Sequence, residues 1–229
     1  MFTIVKIDEE IVQSENFNSE GDFVAAAVKI TKEGEAEHAG IVIYYNKDCF
    51  LLHYNSVDVK ISGIPNKWYF HKPLQVIPPI FVASFLSYCR KVVQKANPEY
   101  GYVYGGSIYD QHGQFFSEKK IPEVMTCVGF CINVVLGFIE ADEYISYSDW
   151  TIATLADSDK YIAHYRNEFV KIFPDLDMEE LIKNIRRVKP SEFLTSAFLN
   201  SNLPIRKIAI DEILDLVEAV LVLKKGEAV

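Results

Sequence analysis

The stretch from Val124 to Ile139 carries no charged residue and is apolar almost all the way round a helix. Such a helix has no face to offer water, so the rest of the chain must be built around it. It falls short of the roughly 20 uninterrupted apolar residues that cross a bilayer. Cys127, Gly129, Cys131 and Asn133 also interrupt it. No stretch of the chain reads as a membrane span. The expected place for this helix is the centre of a folded domain, with Thr126 capping a start near Cys127.

Two β-rich apolar runs stand upstream, His38–Tyr45 (HAGIVIYY) and 49–54 (CFLLHY), joined by the turn signal Asn46-Lys47-Asp48. They predict a hairpin. Residues 2–7, 23–31 and 57–62 read as further strands. Pro78-Pro79 opens an amphipathic helix over 80–96 that Asn97-Pro98 closes. After Asp142 the pattern turns helical, over 157–173, 178–188 and 208–225. The expected division is a mixed front domain over 1–150 and a helical C-terminal extension over 151–229 packed on it. The expected fold class is α+β, an antiparallel sheet packed on a central Cys-bearing helix.

The chain has 229 residues, 49% of them hydrophobic and 24% charged, which excludes wholesale disorder. A net charge of −9 repels nucleic-acid backbones. The short basic run 183–189 (KNIRRVK) lies within an amphipathic pattern, so no nucleic-acid partner is expected. The opening MFTIVKIDEE has no basic segment followed by an apolar one, and no secretory signal is read there. The expected location is cytoplasmic, with the four cysteines as thiols. Their spacing matches no metal site, and no Walker, GxGxxG, HExxH or GxSxG motif is present. No metal or cofactor is expected.

Chemistry then rests on Cys, His and Tyr. A thiol at a helix start meets unsatisfied N–H groups and the positive end of the helix dipole, which lower its pKa and can also hold an oxyanion. Cys127 is that thiol; the bland alternative is a small buried hydrophobe. Cys131, one turn deeper, reads as core. His38 opens its strand beside Ala39-Gly40 and can take a thiol proton as general base. His53 ends the partner strand and can orient His38. A hairpin centred on Lys47 sets His53 opposite Ile41 or Val42, on the order of 10–13 Å along the strand from His38. A bulge or wider turn is then needed to bring them together. The loop GYVYGGSIYDQHG supplies Tyr102, Tyr104 and His112 as candidates for binding substrate, with Tyr109 a further phenol that packing also explains. His71 and His164 read as surface residues.

The order of these pieces resembles the circularly permuted papain-like group. That group includes permuted NlpC-type hydrolases, bacterial YiiX-type proteins and lecithin:retinol acyltransferase-like enzymes. The resemblance runs over residues 24–138. It is carried by H-A-G-I-V at His38, L-L-H-Y ending at Tyr54 and T-C-V-G-F at Thr126, with the weaker K-P-S-E-F at 189–193. It implies a permuted papain-like core, Cys127 as nucleophile, His38 as base and His53 as the third polar residue. The implied activity is that of a cysteine hydrolase, a thiol peptidase or amidase, or an acyl-ester hydrolase or acyltransferase. Peptide, isopeptide or lipid-ester substrates would suit it. Thr126 stands where the group often has Asn or Ser, and the membrane anchor of the acyltransferase-like members is not seen. The alternatives are a catalytically weak or inactive papain-like protein that binds a lipid, peptide or protein, and a small-molecule binder using the Tyr-rich loop.

Overall fold

The computed structural model describes residues 2–15, 21–63, 66–101, 105–139, 141–151, 171, 174, 186–199 and 202–228. The fold is α+β. Its centre is a six-stranded antiparallel sheet in the order β1-β6-β2-β3-β4-β5. These strands are β1 (Val12–Gln13), β2 (Phe23–Ile30), β3 (Ala36–Tyr45), β4 (Asp48–Tyr54), β5 (Val59–Ser62) and β6 (Tyr69–Pro73). The helices are α1 (Ile4–Glu10), α2 (Val82–Lys95), α3 (Cys127–Ile139), α4 (Pro190–Ser196) and α5 (Lys207–Lys224). Four short strands complete the description. β7 (Glu99–Tyr100) pairs in parallel with β10 (Val124–Met125), and β8 (Ser107–Tyr109) pairs with β9 (Phe115–Ser117).

Strand alternation divides the sheet into two faces. Val24 and Ala26 of β2, Ala39, Ile41 and Ile43 of β3, and Leu52 and Tyr54 of β4 form one core with α2 and α3. Phe193 of α4 and Ile210 of α5 belong to that same core. Val28, Ile30 and Phe70 continue the same face toward α1, α4 and α5, against Ile7, Leu194 and Val217. On the other face Ala25, Ala27, Val42, Leu51 and Tyr69 form a separate cluster.

Helix α3 is central, as its composition requires: Val128 to Leu136 are all buried. It approaches the chain closely at Gly137. A Cβ there would lie 1.9 Å from the Tyr109 carbonyl oxygen and 2.7 Å from Tyr88 Oη.

Three local expectations are corrected. Residues 4–10 form a helix, not a strand: Thr3 Oγ1 accepts from Lys6 N, and the spacing of Ile7 and Ile11 puts both fully inside the core. Strand β6 went unread because its polar His71 and Lys72 obscure the apolar pattern. His71 is not a surface residue. It is 1% exposed, shares a 2.9 Å hydrogen bond with Ser14 Oγ and stacks on Phe23. The expected helices over 157–173 and 178–188 fall almost wholly outside the described residues, as does His164.

Candidate active site

The hairpin fixes where the two histidines meet. Asn46 and Lys47 both have positive φ, 52° and 69°, and Tyr45 pairs directly with Asp48. This is the two-residue turn whose twist matches that of the strands. The ladder runs from this pair to Ile41 opposite Leu52. One step further sets His53 opposite Gly40, not opposite Ile41 or Val42 as the sequence suggested. His38 is then a diagonal neighbour of His53 on the same face, a separation of roughly 7–8 Å between backbones that long side chains span. The rings meet edge to face, and His38 Nε2 and His53 Nδ1 share a hydrogen bond of 3.1 Å.

A bulge does occur, but on the other side of β3. Ile30 pairs with Ala36 and Lys29 with His38, so Glu37 is the extra residue. It forms an ion pair with Lys29.

The nucleophile candidate comes from the middle of the chain, well beyond the hairpin in sequence. Thr126 Oγ1 accepts from Gly129 N at 3.1 Å, which caps α3 and makes Cys127 its first residue. The parallel pairing of β10 with β7 anchors the two residues before this cap. Cys127 is partly exposed, whereas Cys131 and Cys89 are buried. Two residues beyond the last β3–β4 pair, the Ala39 N–H donates to Cys127 Sγ at 3.5 Å. The sulfur therefore meets the edge of β3 where the ladder has ended. The body of α3 packs on the face bearing Ala39, while alternation puts His38, Gly40 and His53 on the opposite face. Among the described residues the thiol makes no hydrogen bond to an imidazole, and His38 Nδ1 has no hydrogen-bond partner.

The electrostatics depart from the expected low thiol pKa. Burial pushes the Cys127 thiol up, while the amides of Ala39, Val128 and Cys127 itself pull it back down. Burial holds His38 down at about 4, helped by His53 and Lys29 and opposed by Glu37. His53 is also lowered, by burial and then by Lys60. At neutral pH the thiol and both imidazoles are thus uncharged.

Other candidates lie elsewhere. His112 is exposed in the turn after Tyr109, and its backbone N donates to Asp110. Tyr109 O packs at Gly137, ten residues down α3 from Cys127 and about 15 Å along the helix axis. Tyr109 itself is a core residue whose hydroxyl donates to Glu123 Oε1 at 2.7 Å. Tyr102 and Tyr104 lie outside the described residues. A cavity of about 610 Å³ between Ile108, Leu136 and Tyr147 also belongs to the far end of α3.

Three residues near the histidines were not singled out in the sequence. Tyr69 stands in register with Lys29, which stands in register with His38. Burial raises the Tyr69 phenol to about 12, with Cys127 and Cys131 adding to the shift. Lys60 is the register partner of His53 on β5. Only the strand pairing reveals them.

No family model, curated protein or solved structure matches this chain. Among the described residues no helix is long and apolar enough to cross a membrane, and no group of three His, Cys, Asp or Glu side chains could hold a metal.

Proposed function

We propose that the chain is a cysteine-nucleophile hydrolase or acyltransferase with a permuted papain-like arrangement. The observation that carries this reading is the Ala39 N–H contact to Cys127 Sγ. It brings a helix-start thiol against the residue following His38, whose ring is held by His53.

The chemistry follows from uncharged groups. With Nε2–H donating to His53, His38 keeps a lone pair on Nδ1. The scheme requires the His38 ring to reach Sγ around the edge of β3, where the ladder with β4 has ended. As Sγ then bonds to an acyl carbon, the S–H proton passes to Nδ1 and the carbonyl oxygen becomes an oxyanion. Amides at the start of α3 stabilise that oxyanion. Collapse breaks the bond to the leaving group, which takes the proton from His38. Water then attacks the thioester, again losing a proton to His38, and releases the acid and the thiol. An alcohol or amine in place of water would make the reaction an acyl transfer. Peptide, isopeptide and lipid-ester carbonyls all suit this scheme.

A second reading is a papain-like binding protein with little or no catalysis. It is favoured by the raised thiol and by the lack of a thiol–imidazole hydrogen bond among the described residues. Mass spectrometry with a thiol-directed acyl probe separates the two. Cys127→Ala and His38→Ala should abolish burst acylation, and Cys131→Ala should retain it. Slow, equal labelling of all variants that follows ordinary thiol ionisation near pH 8.5 would favour the binding protein.

A further inference from the structure

The histidine pair lies in a row of side chains that crosses the sheet on one face. Lys29 of β2 is paired with His38 of β3, and His53 of β4 is paired with Lys60 of β5. Directly paired residues share a face, so an ammonium group flanks each imidazole. The two lysines are not equivalent. Lys29 is bound to Glu37 at the bulge. Lys60 is exposed and has no ion-pair partner among the described residues. Among the described residues it is the unneutralised cation of this row, in a chain of net charge −9.

We infer that Lys60 selects acyl substrates bearing an anionic group, a carboxylate or a phosphate, several bonds from the reacting carbonyl. This rests on the cysteine-hydrolase reading. The spacing follows from the strands. Sγ touches β3 at Ala39, and Lys60 stands two strands away on β5, about 10 Å across the sheet. The lysine stem reaches back over part of that distance. An anion three to five carbons from the carbonyl lies between the two. Lys60 is a binding residue here and takes no part in bond making.

The test uses the full chain and three fluorogenic esters of matched length: butyryl, glutaryl and 4-phosphonobutyryl. The expected result is a kcat/KM preference of roughly fivefold for one or both anionic esters over butyryl, shrinking at high salt. Lys60→Gln should bring the ratio close to one, and Lys60→Glu should invert it. Both rates are read in the same variant, so any change in His53 basicity cancels in the ratio. Lys47→Gln, in the hairpin turn, controls for overall charge. Which anionic ester is preferred tells carboxylate from phosphate. Equal rates for all three esters, or a preference that survives Lys60→Glu, would overturn the inference while leaving the nucleophile in place. Failure of every ester to acylate Cys127 would remove the hydrolase reading itself, and this inference with it.

Discussion

Gly40 sits directly across from His53, and a Cβ added to it would fall 3.4 Å from His53 Cβ, 3.2 Å from Leu52 O and 2.8 Å from Leu51 Cδ1. The empty position lets the two imidazoles approach along the diagonal. Gly40→Ala should therefore turn aside the Leu51 methyl and push the Leu52 carbonyl, with the β4 backbone just before His53, by a few tenths of an ångström. The expected cost in stability is about 1–3 kcal/mol, the usual range for overpacking. On the hydrolase reading, acylation of Cys127 should also slow by about 100-fold, since small misplacements are costly in a catalytic pair. Urea midpoints and single-turnover acylation rates check both. An unchanged rate in a folded variant would show that the His38–His53 bond has no bearing on reactivity.

The depressed imidazole of His38 sets the acid limb. A protonated ring cannot take the thiol proton, so acylation should fall as pH drops through about 4 and stay level through pH 6.5. A limb centred near 6.5 would mean that His38 is not the base.

Stability should change in the same region for a different reason. Burial holds His71 at about 4 against an ordinary 6.5. Between those values the unfolded chain binds the proton and the folded chain does not. Stability is thus fully present above pH 6.5 and is lost as pH falls toward 4, by up to about 3 kcal/mol. Burial lowers His38 and His53 as well, so His71→Gln should reduce this slope without abolishing it in urea titrations at pH 7, 5.5 and 4.5, although it lowers stability at pH 7. An unaltered slope would assign the acid sensitivity to other groups.

Gly137 locks α3 against the segment that carries Tyr109. With a Cβ only 1.9 Å from a backbone oxygen, Gly137→Ala cannot be absorbed by rotating a side chain. A loss of about 3 kcal/mol is expected, at the upper end for an added methyl group. Thermal unfolding measures it, and a change below about 0.5 kcal/mol would contradict the close approach.

Much of this arrangement was legible in the sequence. The β3–β4 hairpin, helix α2, the Thr126 cap and the start of α3 at Cys127 all follow from local patterns that agree with their packing. The misreadings have specific causes. Residues 2–7 are apolar enough for a strand, but Thr3 and the burial of Ile7 and Ile11 favour a helix over 4–10. Strand β6 hides behind His71 and Lys72, whose polar atoms are met by Ser14 and Glu10, partners distant in sequence. The position of His53 depended on the turn type, which shifted the register from Ile41 or Val42 to Gly40. Burial at Cys127 could not be read from its place at a helix start, and that burial reversed the expected direction of its pKa.

The two-residue turn at Asn46-Lys47 is in effect a length gauge for the molecule. One extra residue there would tend to slide β4 by a single step and turn His53 under the sheet, toward the helices. The same slide would bring Tyr54 out of the core, where it is fully buried. A peptide tag spliced into this exposed tip, ordinarily a forgiving place for insertions, would put both the imidazole pair and the packing beneath it at risk.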